Sequence, residues 1–288
     1  MFRVTLRIVC DSVADLPPEV LKELGITTIP LLVRFGDEVY RDAVDLSVSE
    51  FYQKLMNSRV LPVTSVPPPV AFAETYDRLA GEADEILVIT LSSRLSGTYS
   101  VALQSIGLMK KPCRVVVVDS QVAALAEGFV VVKAAQVAKA GASLDEAVKV
   151  VKETIPRVHF RATLSTLEYL QRGGRIGKAQ AFLGSILKVN PIITLKDGVV
   201  EPVTRTYSRT QAIEHIYNFV LSFQEVEALA VEHSGDSSDA DRLARRLGSV
   251  FPNRPIYRSG ATPVIGAHTG PGLLLVAVMG ERKPGISW

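Results

Sequence analysis

Short apolar runs alternate with helical patterns through the first half of the chain. Residues 86–91 and 115–118 show no period-two alternation of apolar and polar side chains, which is typical of central strands covered by helices on both faces. Strands separated by helices imply parallel βαβ crossovers. We therefore predict a doubly wound parallel α/β unit, with strands at residues 7–10, 28–35, 86–91 and 115–118 and helices at 17–24, 49–57, 70–80, 98–109 and 128–140.

The pattern changes from about residue 156. Two apolar runs, residues 192–195 and 199–203, flank Asp197-Gly198, which is a strong short-range signal for a β-hairpin. We expect an α+β second half with a mixed sheet, made of helices at 209–223 and 238–247 and strands at 227–232, near 256 and at 273–279. Two α/β domains, residues 1–155 and 156–288, fit the length of the chain.

Charge and cysteine content exclude several classes of protein. The chain has 32 Lys+Arg and 30 Asp+Glu, so its net charge of +2 gives no general reason to bind a nucleic acid. Its two cysteines, Cys10 and Cys113, exclude a disulfide framework and favour a reducing compartment. The sequence starts without the apolar stretch of a signal peptide, so we expect a cytoplasmic protein.

The apolar content is slightly high, with a mean hydropathy of +0.22. The longest apolar stretch, residues 122–140, is interrupted by Glu127, Lys133 and Lys139 and falls short of a membrane span. We expect a buried helix there. Part of the apolar surplus is then free to line an internal cavity.

Residues 90–99, TLSSRLSGTY, carry the strongest signal for a binding site. They lie where a central strand ends and a helix begins, which is where doubly wound folds bind their ligands. Free N–H groups at the helix start favour an anion, and Gly97 allows close approach of the backbone. The alternative is that Ser96 or Thr98 only caps its own helix.

Other polar residues follow neighbouring strands. Asp11 and Asp119 come at strand ends, where a carboxylate serves as a base, a metal ligand or, most commonly, a cap for the next turn. Thr64 and Ser65 lie in a loop that runs into three prolines, residues 67–69. A proline-stiffened loop loses little entropy when it holds a ligand, so both hydroxyls are candidates for binding.

Two glycine-rich segments in the second half add an arginine and a histidine. Gly173-Gly174 allows a chain reversal that points the planar guanidinium of Arg175 at an anion, although the cations there also fit a solvated helix end. His268 lies in residues 266–272, which we interpret as a rigid turn before the last strand. The other histidines, which are surface or packing residues on this reading, are His159, His215 and His233.

Several common catalytic motifs are absent from the sequence. It contains no P-loop, no dinucleotide-binding glycine fingerprint, no G-x-S-x-G, no H-E-x-x-H and no paired C-x-x-C. Hydroxyl groups with one arginine and one histidine, without a clear pair of base and nucleophile, are better equipped to hold an anion than to transform it.

Six segments follow one another in an order that matches a known family. They are DSVADLP at 11–17, TS at 64–65 before a proline, SSRLSGTY at 92–99, DS at 119–120, YL at 169–170 with GGR at 173–175, and HTGPG at 268–272. With these segments the chain resembles the DegV family of bacterial fatty-acid-binding proteins over nearly its whole length. No single segment is specific, but the ordered set is.

The resemblance implies two α/β domains with a long-chain fatty acid, such as palmitate, stearate or oleate, between them. The acyl tail would lie in an apolar tunnel, and the carboxylate would be held by the hydroxyls of Thr64 and Ser96. Around it, less directly, would stand Ser65, Ser93, Arg175 and His268. No metal and no cofactor besides the fatty acid is implied.

The resemblance also implies a role. Some family members are carrier subunits of a fatty acid kinase, in which a separate ATP-binding subunit phosphorylates the bound carboxylate to an acyl phosphate. The carrier is then not itself catalytic, and transient contact with a membrane surface is expected. One departure concerns the proline loop, where the family usually has Gln and Ser and this chain has Val66, Pro68 and Pro69.

Two other hypotheses stay open at the level of sequence. One is an enzyme acting on a small phosphorylated or carboxylated substrate at the strand-end site, with Asp11 and Asp119 as candidate groups. The other is a regulatory protein, in which ligand occupancy changes a surface that a partner recognises.

Overall fold

The structure is a computed structural model that describes residues 5–183 and 189–285. Its first half consists, in chain order, of β1 (Leu6–Asp11), a 3-10 turn (Ser12–Ala14), α1 (Pro18–Leu24), β2 (Thr27–Ile29), β3 (Leu32–Phe35), β4 (Glu38–Arg41), α2 (Val48–Asn57), β5 (Val63–Ser65), α3 (Pro69–Leu79), β6 (Glu85–Thr90), α4 (Thr98–Ile106), β7 (Arg114–Asp119), α5 (Leu125–Ala140) and α6 (Leu144–Thr154). The second half consists of a 3-10 turn (Ile155–Arg157), β8 (Val158–Thr163), α7 (Glu168–Arg172), a 3-10 helix (Gly177–Phe182), β9 (Asn190–Lys196), β10 (Val199–Thr206), α8 (Arg209–Leu221), β11 (Phe223–His233), α9 (Ser238–Val250), β12 (Ile256–Gly260), α10 (Pro263–Thr269) and β13 (Leu274–Arg282).

The first half is built on a four-stranded parallel sheet in the order β2-β1-β6-β7. Successive residues of β7 face opposite sides of it: Val117 packs with Phe72 and Tyr76 of α3, whereas Val118 packs with Phe129 of α5. Helices cover both faces, which explains why the strands show no alternation in sequence. The predicted doubly wound unit is confirmed.

A small antiparallel sheet, β4-β3-β5, was not predicted. The single strand expected at residues 28–35 is wrong, because the chain leaves the parallel sheet after Ile29 and enters the antiparallel one at Leu32. Pro30 lies between them, and a proline has no N–H to donate to a sheet ladder. The segment expected to be a loop around Thr64 forms β5, an edge strand of this sheet.

The second half is built on a mixed six-stranded sheet in the order β10-β9-β8-β13-β11-β12, in which only β11 and β12 are parallel neighbours. The predicted hairpin is confirmed: Asp197 and Gly198 join β9 to β10 with φ values of 51° and 77°, as a two-residue turn of this type requires. Residues 266–272 are not all turn, since α10 extends to Thr269 and only Gly270 and the two residues after it form the turn.

The two sheets share one apolar core around α5. Buried residues of this helix, including Leu125, Phe129 and Val130, pack in the same cluster as Leu87 of the parallel sheet and Ala277 of the mixed sheet. The buried helix predicted within residues 122–140 is confirmed. The chain changes sheet between β7 and β8, and the boundary near residue 155 stays a prediction. Within the described ranges, no helix is long and apolar enough to cross a bilayer.

Candidate functional site

A cavity lies where the two halves meet, and we call it the first cavity. About 110 Å³ of it is accessible to the centre of a water-sized molecule, so the cavity is narrow, and part of it opens to solvent. Its lining is predominantly apolar and comes from both halves of the chain: Val13, Leu31, Leu91, Leu95, Ala123, Ala124, Phe160, Ala162, Leu170, Ile193, Leu195, Val200, Val264, Ile265, Leu273 and Leu275.

Six polar residues complete the lining: Thr64, Ser96, Arg175, Thr194, His268 and Thr269. Two of these hydroxyls donate hydrogen bonds to backbone carbonyls: Thr194 Oγ1 to Phe160 O at 2.8 Å, and Thr269 Oγ1 to Ile265 O at 2.9 Å. The groups left to bind a ligand are therefore those of Thr64, Ser96, Arg175 and His268, four of the six residues expected from the sequence.

Thr64 and His268 form the centre of this polar group. Thr64 Oγ1 lies 2.8 Å from His268 Nε2, so β5 of the first half and α10 of the second meet at this hydrogen bond. The pKa of His268 is lowered to about 4, mainly by burial and to a smaller extent by the positive charge of Arg175. The imidazole is therefore neutral near pH 7, and it donates through only one of its nitrogens.

A glycine makes room for this histidine. A Cβ atom at Gly173 would lie 2.3 Å from His268 Nδ1, which is closer than real Cβ atoms approach. The buried Nδ1 itself has no hydrogen-bond partner among the described residues. The GGR segment of the sequence thus contributes more than its arginine, because its first glycine accommodates the ring of His268.

Arg175 brings a positive charge to the cavity. α7 ends at Gly173 and Gly174, and the second of these is left-handed with a φ of 70°, as expected from the sequence. The guanidinium donates to Leu95 O at 3.0 Å and to Gly173 O at 2.6 Å. Among the described residues Arg175 forms no ion pair, so its charge is not neutralised by a carboxylate of the chain.

Ser96 combines the two roles weighed for it. Its Oγ accepts a hydrogen bond from the N–H of Thr98 at 3.3 Å, which helps to begin α4, and lies 2.8 Å from Thr98 Oγ1. Ser96 also lines the first cavity. When Thr98 Oγ1 is the donor of the bond between the two hydroxyls, Ser96 keeps its own hydrogen for another acceptor.

Ser65 and Ser93 lie apart from this group. Both are exposed and neither lines the first cavity. Ser65 follows Thr64 in β5, and successive side chains of a strand point to opposite faces. The backbone N–H of Ser93 donates to Asp119 Oδ1 at 3.2 Å. The neighbouring Ser92 was not predicted as a site residue: it is buried, and its Oγ donates to Gly198 O at 2.8 Å, which ties the strand-end loop to the hairpin of the second half.

The strand-end carboxylates serve the backbone. Asp11 accepts from the N–H groups of Val13 at 3.0 Å and Leu91 at 2.8 Å, and Asp119 accepts from the N–H groups of Ser93 and of Gln121, the latter at 2.9 Å. Neither lines the first cavity. In residues 5–183 and 189–285, no group of three or more histidine, cysteine or acidic side chains is arranged to hold a metal ion.

Three buried carboxyls that were not predicted from the sequence join the two halves. Asp15 accepts from the N–H of Thr262 at 3.3 Å, and Asp42 accepts from the N–H of Val264 at 3.0 Å. In the reverse direction, Glu232 of the second half accepts from the N–H of Leu125 in the first half, at 2.9 Å. Two buried carboxyls of the first half lie near them: Asp11, a candidate from the sequence, and Glu127, whose pKa is raised by burial and by the charges of Asp11 and Asp15. We call these five the junction carboxyls.

Burial raises the pKa of every junction carboxyl. The pKa of Asp11 rises to about 7 and that of Asp42 to about 6. Asp15 and Glu232 share a hydrogen bond, and burial raises the pKa of both, so this pair retains a proton. Burial also raises the pKa of Glu127, whose two oxygens have no partner among the described residues.

Comparison with known proteins places this arrangement in a family. The model of the DegV family matches residues 5–281. The protein DegV of Bacillus subtilis is 35% identical over 276 residues, which cover 94% of this chain and 98% of that protein. A DegV domain-containing protein of Streptomyces coelicolor is 38% identical over 282 residues, with 94% and 97% of the two chains covered.

Solved structures give the same result. The structure of a DegV family protein from Thermus thermophilus, described as binding fatty acid, has a TM-score of 0.87 at 33% identity and covers 96% of this chain and 99% of its own. The structure of Bacillus subtilis DegV, described as a fatty acid binding protein, has a TM-score of 0.88 at 32% identity with the same coverage. The fold, the order of the motifs and these matches agree, and the chain belongs to the DegV family.

Proposed function

We propose that this chain binds a long-chain fatty acid, with the carboxylate at Thr64, Ser96, Arg175 and His268 and the acyl tail along the apolar lining of the first cavity. The observation that carries the proposal is the Arg175 guanidinium, which adjoins the cavity without a carboxylate of the chain to pair with it. A fatty acid supplies both the missing anion and the apolar chain that the rest of the lining suits. The similar proteins of known structure that are described as fatty acid binding support the same ligand.

The energetics favour a tail of this kind. Burying about fifteen methylenes at ~0.8 kcal/mol each releases on the order of 12 kcal/mol, less the cost of immobilising the chain. The carboxylate must meanwhile find hydrogen-bond donors, because an unpaired charge in such a lining loses several kcal/mol. The tail therefore supplies most of the affinity, and the polar group fixes the direction in which the ligand lies.

We further propose that the protein is a carrier and not a catalyst. Among the polar lining residues, the only titrating base is His268, whose burial keeps it a weak one, and the strand-end carboxylates are engaged by the backbone. A carrier of this family would present the carboxylate to a separate ATP-binding kinase subunit, which would form the acyl phosphate. A cytoplasmic location and transient contact with a membrane surface follow from this role.

Native mass spectrometry of the protein purified from cells tests the ligand. We expect the intact protein to carry an added mass in the range of palmitate, stearate or oleate, which organic extraction removes and added fatty acid restores. An empty protein that also ignores added palmitate and oleate would refute fatty acid binding. Mixing the loaded protein with lysate and labelled ATP, and then assaying for acyl phosphate, tests the carrier role separately.

A further inference from the structure

A second cavity lies beside the first, between the parallel sheet and the mixed sheet. About 670 Å³ of it is accessible to the centre of a water-sized molecule, and it is open to solvent. Its apolar wall is formed by residues of β7, α6 and β8, among them Val116, Val118, Val148 and Val158. None of these four lines the first cavity.

The two cavities share a wall. Leu195 of β9 is the one residue, among those described, that lines both. The apolar face of β8 also runs from one cavity to the other: Val158, Phe160 and Ala162 are alternate residues of that strand and so lie on one face of it. Val158 lines the second cavity, and the other two line the first. The two cavities therefore adjoin at Leu195 and along this face of β8, and a chain that passes from one to the other needs Leu195 to move.

Seven polar residues also line the second cavity: Tyr99, Asp119, Gln121, Lys152, His159, Lys196 and Asp197. The two lysines are exposed, and the exposed Asp197 follows Lys196 directly. Asp119 accepts hydrogen bonds from two backbone N–H groups, and burial lowers the pKa of His159 to about 4, so its ring is neutral near pH 7. The buried part of the wall, which includes Val118 and Val158, is apolar and suits methylenes.

Resting on the fatty acid binding proposed above, we propose that the second cavity receives the distal methylenes of acyl chains too long for the first, and that Leu195 is the gate between the two. The side chain of Leu195 is only half-buried, so fewer neighbouring atoms oppose its rotation than would oppose that of a fully buried leucine. The acyl chain length that the protein prefers is then set by the total length of the two cavities and by the free energy needed to rotate the Leu195 side chain.

The test compares saturated fatty acids from ten to twenty carbons by displacement of a fluorescent fatty acid. Each added methylene that enters an apolar site raises affinity by up to about fourfold. Val148→Phe adds bulk to the second cavity and leaves the first untouched. Val250→Phe is the matched control, because Val250 lies on α9, is 43% exposed and lines neither cavity.

We expect wild type and Val250→Phe to gain affinity with every methylene, whereas Val148→Phe binds the short acids normally and stops gaining beyond a certain length. The affinity ratio of the eighteen- to the ten-carbon acid should fall at least tenfold. Leu195→Ala should raise that ratio. Normal binding of the short acid shows that a variant is folded, and Val116→Phe replaces Val148→Phe if that variant is not.

A wild-type length profile in both Leu195→Ala and the second-cavity variant would overturn this inference and leave fatty acid binding intact. Failure of the wild-type protein to bind an acid of any length would instead remove the proposed function itself. The two failures are therefore distinguished within one experiment.

Discussion

Substitution of Gly173 by alanine isolates the contribution of His268 to the site. The residue has a φ of −73° and a ψ of −8°, which alanine adopts without strain, and alanine is better suited to a helical conformation than glycine by up to about 1 kcal/mol. The backbone conformation therefore gives no reason for a loss of function, although the new Cβ would lie a tight 3.1 Å from Tyr169 O. The added Cβ, however, would lie 2.3 Å from His268 Nδ1 and 2.9 Å from its Cε1.

The ring must then retreat by about 1 Å to reach an ordinary contact distance. Its Nε2 is 2.8 Å from Thr64 Oγ1, and a retreat of that size stretches the hydrogen bond beyond its useful range. A lost hydrogen bond in a site that holds a charged ligand costs about 1–2 kcal/mol, so affinity for palmitate should fall about five- to thirtyfold.

Isothermal titration calorimetry with palmitate measures the effect, and a double-mutant cycle identifies its origin. In a His268→Ala background the new Cβ meets no ring, so Gly173→Ala should have little further effect on binding. Gly174→Ala is not a suitable control, because its φ of 70° would add backbone strain. Wild-type affinity in Gly173→Ala, or an equal loss with and without His268, would refute the reasoning.

Three further predictions concern the same site and the junction. Thr64→Ala and Ser96→Ala should each weaken palmitate binding by about 1–2 kcal/mol, because each removes a hydrogen bond to the carboxylate. The control Thr64→Ser keeps the hydroxyl and should bind nearly as the wild type does. Normal affinity in both alanine variants would place the carboxylate elsewhere. Arg175→Gln should raise the pKa of His268 above its value of about 4, because the arginine charge is one cause of the depression, and an NMR titration of the ring that showed no rise would contradict the geometry. Asp42 has a folded pKa raised to about 6, so the folded state binds the extra proton and the stability that this carboxyl contributes falls as pH rises from about 4 to 6, by at most about 1.4 kcal/mol per pH unit. His159 and His268, whose pKa values are lowered to about 4, make stability rise with pH over the same range. The measurement is therefore the difference in unfolding free energy between wild type and Asp42→Asn from pH 4 to 6. A constant difference would show that Asp42 is ionised throughout.

Sequence patterns predicted the structure correctly where a segment's own residues determine its conformation. The hairpin at Asp197 and Gly198 follows from turn chemistry, and the parallel strands follow from their uninterrupted apolar composition. Of the head-group candidates, Thr64, Ser96, Arg175 and His268 converge on one cavity. Their meeting was expected from the order of the family's motifs and not from their spacing, since 204 residues separate the first from the last.

Sequence patterns gave a wrong prediction where packing against distant residues determines the conformation of a segment. The segment around Gly266 was expected to be a turn because glycine is a poor helix former, yet it lies within α10. A Cβ there would lie 2.4 Å from Phe51 Cε1 and 2.6 Å from Tyr52 Oη, so the glycine allows α10 to approach α2 closely. The contact couples residues more than two hundred positions apart, and no sequence window contains both.

Asp15, Asp42 and Glu232 escaped prediction for the same reason, and their position bears on how the site is assembled. Asp42 holds the N–H of Val264 in the first turn of α10, and Asp15 holds that of Thr262 just before it. The same short helix carries His268, which meets Thr64 of the first half. The position of the imidazole thus depends on buried carboxyls whose pKa values are raised by burial, and the lining of the first cavity depends on both halves. A ligand that binds only the folded protein stabilises it by RT ln(1 + [L]/Kd), so fatty acid should raise the unfolding temperature wherever its affinity is unchanged, including above pH 6, where deprotonation of Asp42 has lowered the stability of the junction.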